Sequence, residues 1–389
     1  MSDNERLSVA VTVDWTDALQ KKIRERYLYL APGAAAVSFE PGLVHIDFPS
    51  DDPQPRPDQQ AVADFVADQQ RSLGRASERV LLAHDSARPA IPDPLPDLIE
   101  RGEVSETADG AFTFAGAFAR RFTAWDGLVR DLADRLQAEE RIVPTLLRTS
   151  SLFANGYLAD FPHHALFVAP ARYDVDALRS IAAVGKSAVD GEETVRENLG
   201  APAVTLAPTV CYHCFESLRD RRLASPHVGI TAFGHCHRFE SRNISGLKRL
   251  QHFSMRELVF LGDADYVARS LDACVDFAVE LLKAWDVTFR ISTASDPFFL
   301  GESDRKTTYQ LAMAMKRELQ IQLPYDGSWL SVGSFNNHAR VIIDKYGIEI
   351  EGAEKPASGC VGFGYERLLF ALHAHFGLED GDWPDALRG

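Results

Sequence analysis

Between His235 and Glu257 the chain places Arg238, Glu240, Arg249 and Phe253 on either side of a polar loop that holds Gly246. A guanidinium such as Arg238 can clamp a phosphate through paired N–H donors, and a ring such as Phe253 can stack on a base. Arg238 and Glu240 share strand parity, which would project both from one face. A cationic hairpin on a solvated surface has the same composition. A second cluster, Gly359-Cys360-Val361-Gly362-Phe363-Gly364-Tyr365-Glu366-Arg367, reads as a strand running into a helix. Its glycines would let the backbone approach a ligand, with Arg367 in the first helical turns. A packing-driven pair of glycines fits that pattern equally. Cys211 and Cys214 form a C-x-x-C pair, but no second pair completes a four-thiolate knuckle. Cys214, Cys236 and Cys274 read as packed thiols, and His213, His235 and His237 as pocket lining rather than ligands. Glu257, taken alone, is an ordinary strand carboxylate.

These groups need a scaffold, and the 389 residues supply enough chain for two domains. Hydrophobic residues make up 46% and charged residues 25%, which rules out a disordered or collagen-like chain. Proline-rich stretches at 51–57 and 88–96 read as connections. Before and between them lie a strand at 7–13, a helix from Trp15 to Arg26, a hairpin at 35–48 turning on Pro41-Gly42, and a helix at 59–73. This predicts a small α+β domain over residues 1–108. Over 109–389, a helix from Ala117 to Glu140 and an extended segment from Arg141 to Leu147 come first. Strands follow near 164–170, 203–207, 229–239, 251–262, 286–292, 330–336 and 340–350. Helices fall near 174–184, 210–219, 264–285, 306–318 and 364–376. Strands in direct succession with irregular helices predict an α+β fold whose antiparallel sheet is flanked by helices.

The two chemical clusters resemble motifs of the class II aminoacyl-tRNA synthetases. Arg-x-Glu, loop, Arg-x-x-x-Phe over Arg238–Phe253 looks like motif 2, and Gly362-Phe363-Gly364-Tyr365-Glu366-Arg367 looks like motif 3. Arg141 to Leu147, with Pro144 after a long helix, looks like the dimer-forming motif 1. The resemblance covers about residues 110–380. It implies a bent ATP held with Mg2+: Arg238 on the α-phosphate, Glu240 near the adenine or the amino acid, and Arg249 and Arg367 on the outer phosphates. Phe253 and the Arg367 plane would sandwich the adenine. An acidic residue for Mg-ATP is missing from Trp329–Ser334, where the family often carries one.

A finer resemblance is to the amino acid:carrier protein ligases and the atypical, zinc-dependent seryl-tRNA synthetases. It rests on residues 151–170, Asp296-Pro297-Phe298-Phe299, Ser334-Phe335-Asn336-Asn337-His338 and the run Thr307 to Arg340. It implies that Cys211, Glu257 and Cys360 hold Zn2+, leaving one tetrahedral position for a substrate amine. Asn336 would touch the amino acid, for which the family favours small side chains such as glycine or alanine.

These readings make the chain an ATP-dependent ligase that forms an aminoacyl adenylate and passes it to the phosphopantetheine thiol of a carrier protein. A seryl-type tRNA synthetase and a silent amino acid-binding paralogue are the alternatives. With 41 Lys+Arg against 56 Asp+Glu the net charge is −15, so a long cationic track is absent and tRNA is expected to be an unlikely partner. The five cysteines are odd in number, which suits a reducing cytoplasm, and no apolar run is long enough to span a membrane. A homodimer is expected from motif 1.

Overall fold

The computed structural model describes residues 4–50, 53–71, 79–187, 191–294 and 315–388. They form two compact units. The smaller contains the chain up to Arg79 and includes Ser241–Asn243. In it, strand Leu43–Pro49 lies between Asn4–Ala10 and Ala36–Glu40, all antiparallel, with helices Asp17–Leu30 and Gln59–Arg71. The expected hairpin closes on Pro41-Gly42, where Gly42 takes φ +73°, a conformation that favours glycine. Leu19 and Ile23, and Val62 and Val66, fall four apart on their helices and bury one stripe against Val44, Ile46 and Phe48. Thr16 caps the first helix by accepting from Leu19 N. The expected boundary at residue 108 moves to 79/80. Val80–His84 pairs with Phe289–Thr293, and Leu98 and Val104 lie in the core of the larger unit.

The larger unit is built on an eight-stranded sheet. Its strands run in the order Val80–His84, Phe289–Thr293, Lys316–Gln322, Trp329–Ala339, Pro356–Gly364, His252–Asp263, His227–His237, Glu139–Ile142. Every neighbouring pair is antiparallel except the last. Glu139–Ile142 forms the outer edge, with Ile142 99% exposed at its end. Side chains alternate between faces. Leu258, Phe260, Val361, Phe363, Phe335 and Leu319 point to one side, into a core shared with helices Gly116–Arg135, Ala264–Ala284 and Tyr365–Phe376. The alternate positions Glu257, Val259 and Cys360 point to the other side. There the short helix Cys211–Glu216 and residues Ile343, Tyr346 and Ile348 make a smaller core.

The helix Gly116–Arg135 buries Phe118, Arg121, Trp125, Val129 and Leu132, an i, i+3/i+4 stripe. Arg121 is a cation in that stripe. Its guanidinium stacks 4.0 Å over the Trp383 ring, donates to His373 Nε2 at 2.9 Å and bonds Leu378 O and Asp380. His373 Nδ1 donates to Leu369 O at 2.7 Å, so its Nε2 must be the bare acceptor. Burial, then the neighbouring Arg121 charge, pushes His373 down to about 3.

Several elements depart from expectation. The strand expected near 340–350 is a helix over Val341–Lys345 followed by a two-residue strand, because Ile343, Tyr346 and Ile348 are drawn into the smaller core. The helix expected near 306–318 meets a strand from Lys316, whose Leu319 and Ile321 alternate into the main core. The rest of that segment, with Asp296–Phe299 and Thr307–Ala314, lies outside the described residues. The proline stretch at 88–96 leads into a helix, Leu95–Glu100, with Pro96 in its first turn. The long helix stops at Arg135, two residues before Gln137 turns back at φ 54°. All five cysteines are free and buried. Among the described residues no helix is long and apolar enough to cross a membrane.

The His373 arrangement predicts a pH signature. A histidine held neutral in the fold takes up a proton on unfolding, so the stability of the native chain falls as pH drops from 6.5 towards 3. Between pH 7 and 5 this amounts to about 2 kcal/mol. A His373→Gln variant keeps a neutral acceptor without the titration, so its stability deficit should shrink by about that amount across the range. Urea unfolding at pH 7 and 5 measures it; a pH-independent difference between the two proteins would refute the assignment.

Candidate functional site

Residues directly opposite one another across a ladder share a face. Glu257 lies opposite Gly362, and Gly362 opposite Ser334; one row along, Cys360 lies opposite Asn336. A Cβ on Gly362 would stand 2.5 Å from Met255 Cε, so glycine leaves room for that side chain, with Glu257 Cγ in ordinary contact at 3.5 Å. Cys211 opens the short helix that packs on this face. The ligand atoms of Cys211, Glu257 and Cys360 come within 4.8 Å of one another, and all three residues are buried.

Such a group is electrostatically incomplete. Among the described residues no lysine or arginine bonds any of the three. Burial, then the Cys360 charge, pushes Glu257 up to about 7, although Thr209 Oγ1 and Val210 N both donate to it. The Cys211 thiol is raised by its bond to Cys360 and by burial, while Cys360 is held low by Cys211, His338 and Asn336. Three acid groups that close in a dry place suit a divalent cation, and two sulfurs with one carboxylate suit zinc. The residues therefore fit the metal that the resemblance implies.

Arg238 lies on the same side of the sheet, over Phe253, and Arg249 and Arg367 stand near it. Arg238 follows the strand His227–His237, donates Nε to Pro208 O at 3.1 Å and lies 5.3 Å over the Phe253 ring. Arg249 donates to the buried Glu240 at 2.6 Å. Arg367, half-buried near the start of the helix Tyr365–Phe376, makes no hydrogen bond or ion pair among the described residues. Burial pushes it down to about 10, with Arg249 and Arg238 adding to the fall and Glu240 opposing it. Three arginines thus act on one another here, with Glu240 and Glu318 opposing, and a polyanion would add to that opposition. Glu366, next to Arg367, faces the other way. Both of its oxygens accept Ser254 N at 2.9 Å, tying this helix to the strand that carries Phe253 and Glu257.

Two expectations need adjusting. Strand geometry ends at His237, and Glu240 has φ −102°, ψ 0°, so Arg238 and Glu240 are placed by a loop rather than by strand parity. Asn336 does lie beside the acidic group, but its amide bonds Ser334 Oγ at 3.2 Å and Cys360 Sγ at 3.6 Å. Cys214 and Cys236 are packed thiols; burial pushes Cys214 up to about 12. His237 and His252 bond each other at 2.9 Å across the strands, on the face opposite Glu257, and burial pushes His237 down to about 4. Sequence reasoning gave no role to Thr209, which holds Glu257, or to His338, 3.7 Å from Cys360 Sγ. Their signals were the T-x-C spacing before Cys211 and the shared parity of His338 with Asn336.

No protein-family model matches the chain. It is 25% identical to the type-2 serine–tRNA ligase of Methanopyrus kandleri over 276 residues, which is 67% of this chain and 52% of that protein. It is 27% identical to amino acid–[acyl-carrier-protein] ligase 1 of Bradyrhizobium diazoefficiens over 307 residues, 77% of this chain and 90% of that one. With ligase 2 of the same organism the identity is 30% over 249 residues, 63% and 72% of the two chains. The chain thus spans about half the length of the type-2 serine–tRNA ligase it matches. Among solved structures, M. kandleri SerRS in complex with A. aeolicus tRNASec superposes with a TM-score of 0.71 at 21% identity, over 98% of this chain and 76% of that one. Seryl-tRNA synthetase from Pyrococcus horikoshii complexed with ATP gives 0.55 at 14% identity, over 77% and 61%. The class II synthetase-like fold is therefore the one expected. The expectation that tRNA is an unlikely partner does not stand, because nearly the whole of this fold recurs in a chain solved with tRNA bound.

The acidic group predicts metal-linked stability. Zinc added at a hundredfold excess over its dissociation constant should stabilise the chelator-treated protein by about 2.7 kcal/mol, and Cys360→Ser should lose most of that gain. Thermal unfolding with and without chelator checks both. Equal gains in the two proteins would move the ion elsewhere.

Proposed function

Because the chain belongs to the class II synthetase-like family that contains the type-2 serine–tRNA ligases and the amino acid–[acyl-carrier-protein] ligases, we propose that it activates an amino acid with ATP to give an aminoacyl adenylate and pyrophosphate. The observation that carries this reading is the pairing of a closed acidic trio with a group of three neighbouring arginines. An amino acid and ATP present the complementary charges, an amine and a polyphosphate.

In this reading the amino acid carboxylate attacks the α-phosphorus, and the bond to the oxygen bridging towards the β-phosphate breaks. Arg238 offsets the charge that builds on the α-phosphoryl oxygens, where a pre-oriented cation acts most strongly. Arg249 and Arg367 hold the outer phosphates, which travel with Mg2+. The adenine stacks between Phe253 and the plane of Arg367, with Glu240 at its edge. Asn336 contacts the amino acid. Zinc, held by Cys211, Glu257 and Cys360, would supply an open position for the substrate's α-amine.

Two acceptors have support. The thiol of a carrier protein is favoured by the likeness to ligase 1, which spans 90% of that protein. A tRNA is favoured by the type-2 serine–tRNA ligases and by a fold match that covers 98% of this chain, its N-terminal unit included. Either nucleophile would attack the same adenylate carbonyl and release AMP, so the first step is common to both.

Amino acid-dependent exchange of pyrophosphate into ATP, screened across the standard amino acids, tests the first step. Arg238→Ala should slow the exchange by ~10²–10³ without unfolding the chain; near-normal exchange would displace the ATP site. For the second step, radiolabelled amino acid is offered with holo carrier protein, apo carrier protein or tRNA. Label on holo carrier alone supports the ligase reading, and label on tRNA alone supports the synthetase reading. Exchange with no amino acid would refute activation altogether.

A further inference from the structure

Cys360 and Cys211 occupy unequal surroundings. Cys360 Sγ has two nitrogen neighbours from the adjoining strand, Asn336 Nδ2 at 3.6 Å and His338 Nε2 at 3.7 Å. Cys211 Sγ has the Thr209 hydroxyl at 3.4 Å. That hydroxyl has one proton and gives it to Glu257, so towards Cys211 it can only accept. One sulfur is therefore placed to receive N–H donors and the other is not. His338 is held in position: its ring meets Phe215 edge-on at 6.0 Å between centroids. It is also not a fourth member of the acidic group, whose mutually close atoms come, among the described residues, from Cys211, Glu257 and Cys360.

We infer that His338 is a positioning residue of the metal centre, donating its ring N–H to the Cys360 thiolate, with the Asn336 amide as the second donor. This rests on the metal reading above. Two thiolates and a carboxylate bring three negative charges to a divalent ion, and so much donation would dull its attraction for a neutral amine. N–H···S bonds draw electron density off one sulfur and fix the direction of its lone pairs, as outer partners of metal ligands do. His338 and Asn336 thus keep the ion receptive on the side where an amine arrives. The same two donors explain why a strand with no ligand of its own, Trp329–Ala339, turns alternate polar groups to this face.

Cobalt(II) in the full-length protein reads this out independently of catalysis, through the sulfur-to-metal charge-transfer band. His338→Ala should leave Cys360 richer in electrons and move the band to longer wavelength, while His338→Gln, which retains an N–H donor, should restore it towards the wild-type position. Affinity for cobalt should fall about tenfold or more in the alanine variant. Asn336→Ala should shift the band in the same direction and carries the test if His338→Ala does not fold. An unchanged band in both alanine variants would overturn the inference while leaving the metal reading intact. A change in coordination number in His338→Ala would overturn it by making the histidine a ligand. Wild-type protein that takes up no cobalt would overturn both.

Discussion

The register between strands His252–Asp263 and Pro356–Gly364 is the constraint on which the rest depends. Val259 lies opposite Cys360 and Glu257 opposite Gly362, which keeps Leu258, Phe260, Val361 and Phe363 on one side. A slip of the first strand by one residue would send Glu257 into the helical core and Leu258 and Phe260 out of it. The penalty is severe, because Phe260, Val361 and Phe363 pack against buried residues of three helices. The hydrophobic face thus selects the register, and the register in turn presents Glu257 and Cys360 side by side. Glu366 extends the same constraint past the end of the strand: by gripping Ser254 N it fixes where Arg367 stands relative to Phe253.

The two charged districts on the polar face are each poorly stable alone. A buried carboxylate beside two thiols, without a cation, is driven towards protonation, as the upward shift of Glu257 records. A half-buried arginine beside two others is driven the opposite way, as the downward shift of Arg367 records. Their opposite signs give the site a polarity. A molecule with an amine at one end and an activated phosphate at the other would relieve both imbalances at once, whereas a simple anion or a lone cation relieves one.

Much of this was legible in the residues because it is local. The strand-to-helix passage at Gly362–Arg367, the stripe on Gly116–Arg135 and the pairing around Phe253 are each encoded in one continuous stretch of chain. What was not legible depended on distant partners. Val80–His84 belongs to no element expected from the sequence, because its ladder is supplied only by the distant Phe289–Thr293. Val341-Ile342-Ile343 is β-branched, a local preference for strand, yet it forms a helical turn because Ile343 is needed beside Tyr346 and Phe215. The Cys/Glu/Cys group spans about 150 positions of sequence, and spacing alone could not have joined it; the resemblance to a family did so. Nor could the unequal treatment of the two sulfurs be read, since His338 meets Cys360 only across a ladder that carries a register shift between Asn337 and Ala339.

The acceptor question has a physical reason for lying outside this face. On the proposed reading a thiol and a ribose hydroxyl would attack the same carbonyl of the same adenylate, so residues that stabilise the phosphoryl displacement would have no means of telling them apart. Discrimination must come from surfaces that bind the acceptor's body, and there net charge is a poor guide. A value of −15 is a sum over the chain, while nucleic acid responds to the local density of cations within about a Debye length, roughly 8–10 Å at physiological salt. The run Lys21-Lys22-Ile23-Arg24-Glu25-Arg26 illustrates the point. Ile23 and Arg26 turn inward, Arg26 to Gln69 at 2.9 Å, and Arg24 bonds Gln20 and lies over Phe39. The run is thus partly committed to its own unit, which makes it a weaker cationic surface than its sequence suggests, whatever the total charge. An acceptor surface is accordingly to be sought as a patch, by charge reversal at exposed positions read against transfer and not against adenylate formation.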